Sequence, residues 1–396
     1  MSVSLRRNFS LRVLYFSRDY TTHDRRFLKA LANTEHQIYY LRLEQSGHRF
    51  EERSLPRGIE PVEWAGGRQR VDIWDGMRLL GDLKRVIREV NPSLIQAGPL
   101  QRSALLVAIA GFRPLVSTSW GYDLLHDARR NFLWAWATRF TLQRSAVMVG
   151  DCDEIRRLAI SFGMPEERIV TFPWGVDIKL FNPGGGNNSI DQHIEATSGS
   201  DNSLVRDRLG WGKKAFVLIS TRGWEYIYGV DVLAHAFIQV ARQRPEVRLL
   251  MLGEGSLAGI LREIFTQGGV LEKVHFVRQV SQTQLPDYYR AADLYLSASH
   301  SDGTSISLLE AMACARPVLV SDIPGNREWV TPGKQGWWFT DGDSSALALA
   351  IMDAMEDRQR LIEMGWAARR LVEERADWEK SFPELLRAYE LAISVQ

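Results

Sequence analysis

Short runs rich in Val, Ile, Leu and Tyr alternate with longer stretches of helical period along this 396-residue chain, and the alternation stops and restarts once. Apolar runs joined by helical crossovers are the pattern of a parallel sheet covered by helices. Before the break, strands are expected near Leu11–Ser17, Gln37–Arg42, Leu94–Ala97, Pro114–Thr118, Ala146–Gly150 and Ile169–Phe172. After it they are expected near Phe216–Ser220, Val247–Leu252, Lys273–Val277, Asp293–Ser297, Pro317–Ser321 and Trp337–Phe339. The break itself, Asn182–Ser203, is dense in Gly, Asn and Ser and nearly free of apolar residues, as in a linker or mobile loop. Two doubly wound α/β domains are therefore expected, 1–181 and 204–377, separated by 182–203 and followed by a helical segment, 378–396. Such sheets bind ligands at the carboxyl ends of their strands, so a site in a cleft between the two domains is expected.

Composition removes several classes. A hydrophobic fraction of 45% and a charged fraction of 24% exclude disorder as the main state and collagen-like fibres. The net charge of +1 gives no general case for nucleic-acid binding. It conceals an asymmetry, however: residues 1–180 hold 27 basic and 20 acidic side chains, and residues 181–396 hold 22 and 28. The basic first half suits an anionic or lipid-linked partner at a membrane surface. Cys152 and Cys314 are the only cysteines, which leaves no disulfide framework or cysteine-based zinc site and makes a reducing compartment the default. The short apolar stretch near the start is interrupted by Arg12, unlike a signal peptide, and the longest apolar run, Ala104–Phe112, is about half of the ~18 residues a membrane span needs. A cytoplasmic protein is expected, with peripheral contact at the inner membrane face as an added possibility.

The densest chemistry lies in Ser299–Val330. Asp302-Gly303-Thr304-Ser305 has the turn and capping residues that precede a helix, and Ile306–Cys314 has helical period. The N–H groups of a first helical turn, with the positive end of the helix dipole, suit a phosphate or diphosphate. Glu310 stands at i+3 from Ser307, on the same helical face, where a carboxylate can accept hydrogen bonds from a vicinal diol. The competing reading makes Gly-Thr-Ser an ordinary cap and Glu310 a solvated helix residue.

Asp302-x7-Glu310 followed by Ala-Met-Ala, then Arg316-Pro317-Val318 and Ile323-Pro324-Gly325, resembles the donor-site signature of the family 4 retaining glycosyltransferases. Pro173-Trp174-Gly175-Val176-Asp177, Ser220-Thr221-Arg222-Gly223, Gly253-Glu254-Gly255 and Val274-His275-Phe276 are similar to further elements of that family, and the specific likeness covers most of Ala146–Val330. The resemblance implies the GT-B fold, two Rossmann-like doubly wound domains facing an interdomain cleft. It implies that Arg222 binds the diphosphate of a nucleotide sugar, that the amides of Thr304, Ser305, Ile306 and Ser307 after Gly303 cradle the distal phosphate, that Asp302 faces the transferred sugar and that Glu310 holds the ribose. It also implies retention of anomeric configuration, domain closure with hinges at 182–203 and near Trp378, and a final helix crossing back to the first domain. The nucleotide sugar is then a co-substrate, and no cofactor or metal is required.

Departures from the family pattern are specific. Asp302 stands where many members have Glu, and Tyr228 before Gly229 where a lysine is usual, so a phenol that can donate one hydrogen bond replaces a charge. Arg278, past the Val-His-Phe run, is a candidate for the missing cation or for a stack on the base. Gly253, in the Gly-x-Gly that follows its strand, is a further donor-site candidate. In the first domain the usual glycine-rich loop is replaced by Ser17–Arg25, which offers Arg18 and His23 as acceptor contacts. Trp120 takes the position of a histidine in Ser119-Trp120-Gly121-Tyr122-Asp123, where Trp120 can stack on a sugar or fill the core and Asp123 is an acceptor candidate.

Other readings fall away or stay open. The pairs Asp151/Asp153 and Asp341/Asp343 resemble metal-binding Asp-x-Asp, a tripeptide common by chance, and the eight histidines have no metal-ligand spacing. Gly253–Gly259 misses the dinucleotide fingerprint by one residue, and no acidic residue ends the next strand. The function expected is sugar transfer from a nucleotide-diphosphate donor to an acceptor hydroxyl, sugar-borne or lipid-linked, in polysaccharide or glycolipid assembly. A non-catalytic binding or scaffold protein of the same fold and a nucleotide-sugar epimerase remain as alternatives.

Overall fold

The computed structural model describes residues 10–45, 54–71, 73–184 and 203–395. It divides into two compact units, Met1–Phe172 with Phe382–Gln396, and Pro173–Ser381. The division therefore precedes Pro173 instead of following residue 181. Most of the expected linker, 185–202, lies outside the described residues. The expected 378–396 helix is two helices. Trp378–Ser381 belongs to the second unit and Pro383–Ser394 to the first. Pro383 lacks an N–H and has φ already preset, so it starts a helix more readily than it continues one.

The first unit holds a seven-stranded parallel sheet: β1 (Arg12–Ser17), β2 (Gln37–Arg42), β3 (Ile59–Pro61), β4 (Leu94–Gly98), β5 (Leu115–Thr118), β6 (Val147–Gly150) and β7 (Ile169–Thr171), in the order β3-β2-β1-β4-β5-β6-β7. Leu14, Phe16, Leu83 and Ile95 are wholly buried in its core. The second unit holds a six-stranded parallel sheet: β8 (Phe216–Ser220), β9 (Val247–Leu252), β10 (Val274–Val277), β11 (Leu294–Ser297), β12 (Val318–Ser321) and β13 (Gly336–Phe339), in the order β10-β9-β8-β11-β12-β13. Strand β3 is the addition to the sequence reading. It is three residues long, includes Glu60 and Pro61, and pairs only with β2, at an edge where a residue without an N–H is tolerated. The other twelve strands lie within one residue of the expected runs.

In the second sheet the chain proceeds from β8 outward to β9 and β10, then returns to the other side of β8 for β11, β12 and β13. The loops after β8 and β11 diverge there and leave a crevice at their carboxyl ends. The equivalent point in the first sheet lies between β1 and β4.

Two glycines make the close packing at the second crevice possible. At Gly253, φ is +145° and a Cβ would lie 2.6 Å from the carbonyl oxygen of Arg222. At Gly229, φ is +57° and a Cβ would lie 1.9 Å from the carbonyl oxygen of Ala298. Neither place admits a side chain without moving backbone.

Candidate functional site

Arg222 follows β8 and Asp302 follows β11, so the crevice brings them together across eighty positions of sequence. Arg222 Nη2 lies 2.6 Å from Asp302 Oδ2. Nη1 donates to Ser305 Oγ at 2.7 Å and to Ser307 Oγ at 3.1 Å. The guanidinium carbon sits 4.2 Å from the centroid of the Tyr228 ring. Burial disfavours the charge on Arg222, yet Asp302 and the surrounding tyrosines outweigh it and shift the pKa upward, so the group stays cationic. Burial also raises the Asp302 carboxyl, and Arg222 opposes that rise.

Gly303, Thr304 and Ser305 are buried and lead into the helix Ile306–Ala313. Ser305 caps it, accepting from Leu308 N at 3.4 Å. The first-turn amides of a helix have no intrahelical acceptor, and here they open beside a held guanidinium. Positive potential from both sources therefore converges on one place.

Glu310 is 6% exposed, so the solvated-residue reading is corrected. Its Oε2 accepts from the Tyr289 hydroxyl at 2.9 Å. The same phenol is 2.9 Å from Thr221 Oγ1 and 3.3 Å from the Ser307 carbonyl oxygen. Tyr295 places its hydroxyl 2.9 Å from Ser307 Oγ. A phenol has one proton to give. With that proton on Glu310, Thr221 is left to donate to Tyr289. Burial first, and the Glu310 charge second, push the Tyr289 pKa well up, which keeps that proton in place. Arg222 and Glu310 thus belong to one connected set of polar groups. Tyr289, Tyr295 and Thr221 were not singled out from sequence. The two tyrosines sit on core positions, and spacing alone does not show that their hydroxyls turn back toward the helix start.

The remaining donor-site candidates separate. Tyr228 contributes its ring face, packed on Arg222. Gly253 contributes closeness, because its loop lies against the Arg222 backbone. Arg278 is 90% exposed and lies 4.0 Å from Glu254, an extended surface side chain at the end of β10.

In the first unit, Arg18 follows β1 and forms an ion pair with Glu44. The Glu44 carboxyl, although burial works against it, is held below its usual pKa by the Val71 amide and Arg18. His23 stacks on Trp120 with ring centroids 5.9 Å apart, and Trp120 meets Phe27 edge-on at the same separation. Burial, assisted by Arg26, lowers the His23 pKa to about 4, so the ring is neutral at physiological pH. Asp123 is 3% exposed and accepts from Ser119 Oγ at 2.6 Å, Leu100 N at 3.0 Å and Leu124 N at 3.1 Å. It ties the turn after β4 to the turn after β5 and is not presented to a ligand, which corrects its assignment as an acceptor contact.

Among the described residues no group of three or more His, Cys, Asp or Glu is placed to hold a metal ion. Asp343 caps a helix through Ser345 N and Ala346 N, and Asp341 pairs with His300 at 2.7 Å. No helix among the described residues is long and apolar enough to cross a membrane.

Comparison with known proteins gives the geometry its context. The family model for glycosyl transferases group 1 matches residues 201–371, and that for the glycosyl transferase 4-like domain matches residues 20–175. The chain is 27% identical over 221 residues to D-inositol 3-phosphate glycosyltransferase 2 of Catenulispora acidiphila, covering 54% of this chain and 48% of that one. It is 26% identical over 315 residues to the GDP-mannose-dependent alpha-(1-6)-phosphatidylinositol monomannoside mannosyltransferase of Mycolicibacterium smegmatis, covering 75% and 76%. Against the D-inositol 3-phosphate glycosyltransferases it spans about half of their length. Among solved structures, Anabaena HepE in complex with UDP-glucose superposes with a TM-score of 0.76 at 20% identity, over 96% of this chain and 99% of that one. Sucrose-phosphate synthase of Thermosynechococcus elongatus gives 0.76 at 17% identity, over 97% and 100%. With one model on each unit and the same fold over nearly the full length, the chain belongs to the group 1, family 4-like glycosyltransferases of GT-B fold.

Proposed function

We propose that this protein is a retaining, metal-independent glycosyltransferase that moves a sugar from a nucleotide-diphosphate donor, bound by the second unit, to a hydroxyl of a sugar or lipid-linked acceptor. One observation carries the reading: a buried guanidinium bound to two hydroxyls at a helix start, with a buried carboxylate one turn further along the same helix. A sugar leaving a diphosphate puts negative charge on phosphate oxygens, and Arg222 with the Thr304–Ser307 amides is preorganised to receive it. Glu310, oriented by Tyr289, is suited to the ribose diol. Asp302 then exchanges its ion pair with Arg222 for the transferred sugar. A donor phosphate oxygen takes the acceptor proton in front-face attack, so no protein nucleophile is needed. A glycolipid role draws support from the basic first half and from the activity for which the M. smegmatis relative is named.

The test is a panel of nucleotide sugars screened by thermal stabilisation, followed by transfer and hydrolysis assays on wild type and Glu310→Ala. The reading requires stabilisation by one donor class, turnover by wild type, and a large loss in the variant. Stabilisation with no turnover points to the scaffold alternative. Conversion of the sugar without acceptor points to an epimerase.

A further inference from the structure

The helix Phe132–Arg144 in the first unit is apolar on both faces. Its inward face carries Ala137, Thr138, Thr141 and Leu142, all buried. Its outward face carries Phe132 at 78% exposure, Leu133 at 68% and Trp136 at 46%, and Trp136 meets the half-buried Phe140, which packs on the core, at 5.1 Å between ring centroids. Those outward positions recur at helical spacing and share one side of the helix. A soluble surface gains nothing by exposing Phe, Leu and Trp together, and such a patch marks a binding face.

The charges around it identify what it binds. Between residues 101 and 150 the chain has six arginines, two aspartates, and neither lysine nor glutamate. Of the aspartates, Asp123 is buried in its own hydrogen bonds, and the half-buried Asp127 lies near Arg102 and Arg130 and offsets one of their charges. Arg129, Arg130 and Arg139 are exposed beside the apolar face. Arg144 lies over the ring of Phe140, which neighbours Trp136. Trp and Phe flanked by arginine, with almost no acid, complement an interface that is apolar below and anionic above.

Position agrees. The Phe132–Arg144 helix connects β5 to the parallel β6, so it begins at the carboxyl end of the sheet. The helix Gly76–Val90, two places along the same helical row, begins at that end too. Trp74, just before it, is 89% exposed, and Met77 is 82% exposed. Arg18, His23 and Trp120 also follow strands at this end of the sheet.

We propose that this end of the first unit is a docking surface for an anionic lipid bilayer, with Phe132, Leu133 and Trp136 inserted at the headgroup level and Arg129, Arg130 and Arg139 on the lipid phosphates. It brings the acceptor loops to the plane in which the lipid-linked acceptor of the proposed transfer, on which this role rests, is found.

The test uses the full chain with vesicles of phosphatidylcholine, with and without phosphatidylglycerol, in a flotation assay. Wild type floats with the anionic vesicles and far less with the neutral ones. The double variant Phe132→Ser/Trp136→Ser loses binding to both. The double variant Arg129→Glu/Arg130→Glu binds anionic vesicles roughly tenfold or more weaker, as about 1 kcal/mol per basic residue implies. Melting temperature and stabilisation by nucleotide sugars are measured on every variant and stay at wild-type values, which separates lost docking from lost folding. Equal flotation with neutral and anionic vesicles, or wild-type flotation by the variants, overturns the proposal. So does a wild-type dimer in sedimentation that the aromatic variant converts to monomer, because the face then belongs to a second copy. If no nucleotide sugar stabilises the protein while flotation behaves as described, the transfer reading fails and the docking surface stands.

Discussion

The guanidinium carbon of Arg222 lies over the ring of Tyr228, 4.2 Å from its centroid, while its nitrogens face Asp302, Ser305 and Ser307. A ring at the position where the family usually places a lysine adds no second charge. It fixes the direction of the first. Cation–π contacts of this kind contribute about 0.5 to 2 kcal/mol, greater when desolvated. Tyr228→Phe, which keeps the face and removes the hydroxyl, is therefore expected to retain donor affinity. Tyr228→Leu should weaken it by about two- to thirtyfold on the same scale. Titration calorimetry with the donor distinguishes these outcomes, and equal losses in both variants would assign the role to the hydroxyl.

Asp302 neutralises Arg222 in the absence of a phosphate. Asp302→Asn should therefore bind the nucleoside diphosphate alone more tightly, by severalfold, while on the proposed role of Asp302 toward the transferred sugar it should transfer sugar more slowly. Binding and turnover moving in opposite directions is the signature to measure. Weaker binding of the diphosphate would show that Asp302 orients Arg222 instead of competing for it.

Tyr289 is wholly buried and donates a hydrogen bond to Glu310. Removing one partner of a buried hydrogen bond costs about 1 to 3 kcal/mol. Tyr289→Phe is expected to raise KM for the donor with a smaller change in kcat, since the carboxylate remains but loses its orientation. Glu310→Gln should do the same more severely.

The first unit should lose stability between pH 4 and 6. Burial raises both Asp24 and Asp123 to about 6, despite the hydrogen bonds each accepts. Unfolded aspartates titrate near 3.9, so across this window the folded state binds more protons, and the stabilisation present below about 4 is lost as pH rises through about 6. His23 acts with the opposite sign. Its folded pKa of about 4 lies below the unfolded ~6.5, so its contribution increases with pH. Asp123→Asn should flatten the decline in thermal midpoint over pH 4 to 6, and His23→Gln should steepen it.

Gly253→Ala tests the close approach of two loops. Its φ of +145° and the 2.6 Å separation from the Arg222 carbonyl oxygen require the Arg222 loop to move. The variant should be destabilised by more than about 1 kcal/mol, as strain at special backbone positions usually is. It should also lose donor affinity, which a stability effect alone does not produce in the folded fraction.

The amino-acid sequence determined the two parallel sheets, all strands but β3, and the helix after Ser305, whereas Arg222 was reached only through a family resemblance. The former depend on local information: apolar runs of strand length and capping residues. Strand β3 escaped because three residues with a glutamate and a proline carry no pattern, and only the neighbouring strand β2 gives them one. Tertiary structure alone decided that Glu310 is buried against Tyr289, that Tyr228 packs its face on Arg222, that Asp123 turns inward and that Phe132, Leu133 and Trp136 turn outward. Burial and hydrogen-bond partners are set by chain segments far apart in sequence, and no spacing rule reaches that far.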